Sequence, residues 1–177
     1  MGRGCLVGPV VAAAVILPKT FHLSELRDSK NLSPEKRYKF STIIKQNALS
    51  YAVSYASSTE IDKHNILKCS ILAMHRALRK LHIMPGFILV DGNKFIPYKD
   101  IPYKCIIKGD SKFASIASAS ILAKTFRDNY MCQIHHKYPI YNWNRNKGYP
   151  APQHRKSIEE YGLSPYHRNT FKCYIFT

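Results

Sequence analysis

Residues 87–93 read Phe-Ile-Leu-Val-Asp-Gly-Asn, and how this run folds decides the architecture of the chain. It is short, unbroken and apolar, and glycines bound it on both sides at Gly86 and Gly92. That pattern predicts a central strand buried on both faces, of the kind found in parallel sheets. Asp91 then stands at the carboxyl end of the strand, where open α/β sheets place their ligands. A carboxylate buried there needs a cationic partner or a metal. The plainer alternative is a strand-ending Asp-Gly turn.

Outward from this run the elements alternate. Val10–Leu17 is β-branched and alanine-rich, a strand covered on both faces. Ser33 can cap a helix whose first turn holds Pro34 and which runs to about Gln46. Residues 49–57 alternate as a strand. Residues 57–81 predict one long helix, with Ser57 and Glu60 as a capping box and Leu67, Ile71, Met74, Leu78 and Leu81 as its core stripe. Residues 103–110 form another strand, and residues 111–138 hold no breaker and predict a long helix. The tail is rich in Pro, Gly, Asn and aromatics and predicts loops around one short helix near Gln153–Tyr161. Strands interleaved with helices predict an α/β fold, and with 177 residues, no repeats and no linker we expect one domain over 1–177.

Lysine and arginine number 27 against 11 aspartates and glutamates, a net charge of +16. That excess points to a polyanionic partner such as nucleic acid, the alternative being a solvated basic surface. The five cysteines are scattered and include no CxxC pair, which predicts a reduced, cytoplasmic protein without a zinc site. The apolar start is a poor signal peptide, since Gly8-Pro9 interrupts it, and it is far shorter than the roughly 20 residues of a membrane span. Leu6 stands where N-myristoylation wants Ser or Thr. We expect no membrane partner and a monomer.

Asp128 is the second candidate acid. On the long helix it shares a face with Ala117, Ile121 and Lys124, and such an acid is paired with a neighbour (Lys124 or Arg127) or works with Asp91 on a divalent cation. Lys30, Lys108 and Lys112 lie in short loops and are either phosphate contacts or solvated lysines. Tyr149, in a Gly-Tyr-Pro loop, could stack on a base or sugar, or pack its loop. None of the eight histidines has a zinc spacing.

The order of motifs narrows this further. GRGCLVGPVVAAAVIL at 2–17, DSKNLS, EIDKHNIL, AMHRAL, VDGN, the long block 107–128, KGYP and SPYHRNTF follow one another as they do in ribonuclease HII. The chain resembles that family over essentially its whole length. The resemblance implies a ribonuclease H-like fold: a mixed sheet flanked by helices, with a helical and loop C-terminal extension. It implies hydrolysis of the RNA strand of RNA–DNA hybrids, and cutting at single ribonucleotides in duplex DNA, with Mg²⁺ or Mn²⁺. Four carboxylates form the family's metal site, and the motifs carry the third and fourth onto Asp91 and Asp128. Two cations about 3.5–4 Å apart need several acids to offset their repulsion. The first two, an adjacent Asp-Glu pair, would precede Met1, on a strand that would then also be missing. We expect the protein to extend upstream of Met1; the alternative is a non-catalytic, hybrid-binding remnant. The resemblance also implies nucleic-acid contacts at Gly2, Arg3, Gly4, Lys30, Lys108 and Tyr149, with His167 and Arg168 in a tail motif of structural role.

Overall fold

The computed structural model describes residues 1–21 and 32–171. β1 (Val10–Ile16) pairs antiparallel with β2 (Ser50–Ala56), Val10 opposite Ala56 and Ile16 opposite Ser50. Between them runs α1 (Pro34–Asn47), where Ser33 accepts the Lys36 N–H at 3.3 Å and Pro34 occupies the first turn. The period of two shows in how β1 is covered. Ala13 and Val15 pack with Phe40 and Ile44 of α1 and with Ile121 and Leu122 of a later helix. Val10 packs instead with Ile61 and Cys69, and Ala14 with Met74 and Leu78. The strand is thus sandwiched, as its composition predicts.

The predicted single helix over 57–81 is two. α2 (Ser58–His64) carries the capping box, with both reciprocal bonds formed between Ser57 and Glu60. α3 (Ile66–Arg79) restarts at Asn65, whose φ is +66°. Asparagine tolerates that region better than most residues, and its side-chain oxygen accepts the N–H groups of Leu67 and Lys68 at 3.0 and 3.1 Å. The break takes Leu67 out of the predicted stripe and leaves it exposed, while Ile71 and Leu78 stay buried.

β3 (Ile88–Asp91) pairs with β4 (Tyr103–Ile106), and the pair is parallel. Here the expectation of a central strand needs correcting. Among the described residues β3 has one neighbour, Phe87 is half-exposed and outside the strand, and Asp91 is exposed. The mixed sheet is therefore present as two pairs, one antiparallel and one parallel. A cleft of about 760 Å³ separates them, lined by all of β1 and all of β3. α4 (Ala114–Lys137) crosses behind, packing on β1 and β2.

The tail is less loop-like than its composition suggests. A 3-10 turn at 139–141 leads into α5 (Trp143–Asn146) and then α6 (Pro152–Tyr161). Leu6, Val7, Met131, Ile134, Tyr141, Trp143 and Ile158 form one buried cluster. No helix among the described residues is long and apolar enough to cross a membrane.

Candidate active site

Asp91 ends β3 at the mouth of the cleft, and Arg3 lines the same cleft. The Gly109 N–H donates to Asp91 Oδ1 at 3.0 Å. The position is tight: a Cβ at 109 would stand 2.6 Å from the end of the Ile116 side chain, which would have to shift. Lys108 turns the chain into this position with φ +56° and leaves its own side chain exposed. The Lys108-Gly109 turn thus orients the carboxylate. Its only sequence signal was a glycine directly ahead of a long helix.

Asp128 sits on α4 with its side chain 18% exposed. Its Oδ2 accepts from Arg37 Nη1 at 2.8 Å and lies 3.4 Å from Lys124 Nζ. Lys124 was foreseeable from its spacing of four. Arg37, on α1 and 91 positions away, was not. Arg37 also donates to the Leu32 carbonyl at 2.9 Å, so the guanidinium is tied at both ends. Arg127, the other partner considered for Asp128, points elsewhere.

The loop over residues 2–9 separates two glycines that the sequence treats alike. Gly2 is buried with φ +81°, and a Cβ there would collide with the Arg127 guanidinium. Its smallness serves internal packing. Gly4 is exposed, and nothing lies within 4 Å of the Cβ position. Arg3 between them is exposed. Tyr149 follows Gly148 (φ +78°) and is 46% exposed. Partial burial, and then the neighbouring Cys5 thiol, raise its pKa. Asp128 is near enough to act on it electrostatically. Lys112 is exposed, and Lys30 lies outside the described residues.

The donors suit a hard divalent cation in their chemistry: both are carboxylates, and each keeps one oxygen that bonds to no described residue. Among the described residues no three of His, Cys, Asp and Glu gather as a metal site.

The family model of ribonuclease HII matches residues 1–175. The chain belongs to the ribonuclease HII family. A ribonuclease HII of Parabacteroides distasonis is 55% identical over 170 residues, covering 96% of this chain and 85% of its relative. Among solved structures, ribonuclease H2 of Pyrococcus horikoshii is similar with a TM-score of 0.83 and 28% identity, over 98% of this chain and 91% of the other. The fold extends to a ribonuclease HIII (Bst-RNase HIII) solved with Mn²⁺, at a TM-score of 0.73 and 20% identity, over 98% of this chain and 65% of that one. As a ribonuclease HII family member the chain is of the nuclease class, and its α/β fold is the one the motif order implied.

Proposed function

We propose that this chain hydrolyses the RNA strand of RNA–DNA hybrids and cuts at single ribonucleotides in duplex DNA, with Asp91 and Asp128 holding the divalent cation. The observation that carries this is that each of the two carboxylates is held at one oxygen while its other oxygen bonds to no described residue. A bound Mg²⁺ or Mn²⁺ supplies a Lewis acid for the phosphate and makes water more acidic. The chain's own residues do the rest. Gly109 aims Asp91, while Arg37 and Lys124 aim Asp128. Arg3 and Lys108 offer charge to phosphates, and Lys30 joins them in this reading. The open space at Gly4 lets the backbone approach a ribose, whose 2′-OH marks RNA. The exposed ring of Tyr149 offers a face for the sugar at the junction. We further read residues 1–177 as one domain, monomeric and cytoplasmic, with nucleic acid as its partner.

A second reading rests on the absence of a third metal-ligating group among the described residues. Two carboxylates suit one cation more easily than two, which favours binding without cutting. One assay separates the readings. The chain is incubated with duplex DNA carrying one ribonucleotide, with Mg²⁺ or Mn²⁺, while binding is followed by fluorescence anisotropy. Cleavage at the ribonucleotide supports the first reading. Tight binding without cleavage supports the second, and neither outcome overturns both.

A further inference from the structure

Arg127 and Arg168 are almost wholly buried, at 2% and 1% exposure, and neither pairs with a carboxylate among the described residues. Five of their six side-chain hydrogen bonds go to carbonyls of one loop. Arg127 Nε reaches Pro9 O at 3.3 Å and Nη2 reaches Val7 O at 3.0 Å; Nη1 reaches Lys147 O at 2.8 Å. Arg168 takes the remainder: Nε to Gly8 O at 2.9 Å, Nη1 to Arg3 O at 3.2 Å and Nη2 to Gly2 O at 2.7 Å. Two cations thus draw five carbonyls of residues 2–9 toward the protein. Burying a charge is costly, and an irregular loop alone does not require it twice.

The other side of the same peptides shows the consequence. The N–H groups of Arg3 and Gly4, which share peptides with the held carbonyls of Gly2 and Arg3, make no backbone hydrogen bond among the described residues. A planar guanidinium fork fixes peptide orientation in a way that a single ammonium cannot. We propose that Arg127 and Arg168 are positioning residues which, by holding the loop's carbonyls inward, present the Arg3 and Gly4 backbone N–H groups and the Arg3 side chain to the sugar–phosphate backbone at the ribonucleotide. This rests on the reading of the chain as a hybrid-binding protein, and adds what sets the geometry of that contact.

The test uses the whole chain and two probes, a DNA duplex with one ribonucleotide and the all-deoxy duplex of the same sequence. Binding of each is measured by anisotropy across a salt series. Arg168→Lys keeps the charge but not the fork. It should lose the parent's preference for the ribonucleotide by about tenfold. Affinity for the all-deoxy duplex and its salt slope should hardly change, because the phosphate contacts stay. Arg127→Lys is the second variant, in case Arg168→Lys does not fold, and should act in the same direction. In a folded variant, the amide signals of Arg3 and Gly4 should move in NMR spectra while those of β2 and α6 stay put. A variant that only melts earlier, with preference and amide signals retained, would overturn the positioning role. A parent chain without any preference would overturn the hybrid-binding reading itself, and this role with it.

Discussion

The two halves of the molecule divide the work of packing and of chemistry. The C-terminal cap, composed of residues that look like loop formers, is closed. Trp143 is fully buried, its ring stacked on Tyr141 at 4.9 Å. The indole N–H, which can only donate, meets His154 Nε2 at 3.0 Å, and the other ring nitrogen of His154 therefore donates to the Tyr149 carbonyl at 2.8 Å. His167 Nδ1 accepts from the Ser164 N–H at 2.9 Å. Both imidazoles are held neutral. Burial first, and then the neighbouring His154, push the pKa of His167 down to about 4. The cleft between β1 and β3 is the opposite. It is built from strand formers yet open, and its acid is exposed. Trp143, His154 and Ser164 find hydrogen-bond partners within the cap, although His167 Nε2 has none among the described residues, whereas Asp91 at the cleft is exposed. Stability should therefore reside in the cap and activity at the cleft.

The sharpest test of that division is Asp91→Asn. The amide oxygen can still accept the Gly109 N–H, and the exposed position should leave stability within about 0.5 kcal/mol. Cleavage should fall by roughly 10³-fold, with Mn²⁺ binding weakened at least about tenfold by calorimetry and duplex binding little changed. Near-normal turnover and Mn²⁺ affinity would remove Asp91 from the site.

Trp143→Ala probes the cap. Loss of a buried aromatic costs about 3–5 kcal/mol, and the change also leaves His154 Nε2 without its donor. Urea unfolding should show the loss; a drop below about 1 kcal/mol would mean the cap is no firmer than the cleft.

Acid should loosen the same region. Above pH of about 6.5 the His167 ring is neutral in folded and unfolded chain alike, and it contributes no pH dependence. As the pH falls from there to about 4, the unfolded chain takes up a proton that the folded chain refuses, and stability declines. The total is on the order of 3 kcal/mol, and His154, lowered by burial, adds in the same direction. Glu60, drawn down to about 2 chiefly by Arg76, adds its own loss only below about 4.5. An unfolding midpoint that is flat between pH 6.5 and 4.5 would refute the assignment of neutral, buried rings.

The smallest contrast lies between two glycines. Gly2→Ala must adopt a positive φ against the Arg127 guanidinium and should cost about 1–3 kcal/mol. Gly4→Ala meets open space and should stay within about 0.5 kcal/mol, while weakening preference for the ribonucleotide duplex. Equal thermal shifts in the two variants would erase the distinction.

What the sequence disclosed depended on distance along the chain. β1, β2, the Ser33 cap, the Ser57–Glu60 box and α6 all rest on signals within a few residues, and all could be read there. The break at Asn65 was harder, because an asparagine inside a helical pattern does not announce a positive φ. α5 was hidden by Asn and Gly, which usually mark loops. Asp91 and Asp128 stood out as candidates through motif order, and Asp91 also through the strand end. Their supports did not: Arg37 meets Asp128 across 91 positions and Gly109 meets Asp91 across 18. Contacts of that range leave no periodic trace.

The grip of Arg168 on Gly8, 160 positions away, also sets an order of events in time. Ribosomes add about 5–20 residues per second, so the opening loop waits roughly 10–30 s for the arginine that shapes it. Until then the three carbonyls that its guanidinium holds have to find water. Contacts between segments far apart along a chain slow folding, since the intervening loop must close before they form. The loop over residues 2–9 is thus made well before the arginine that shapes it and, by this geometry, is among the last segments to take its native shape.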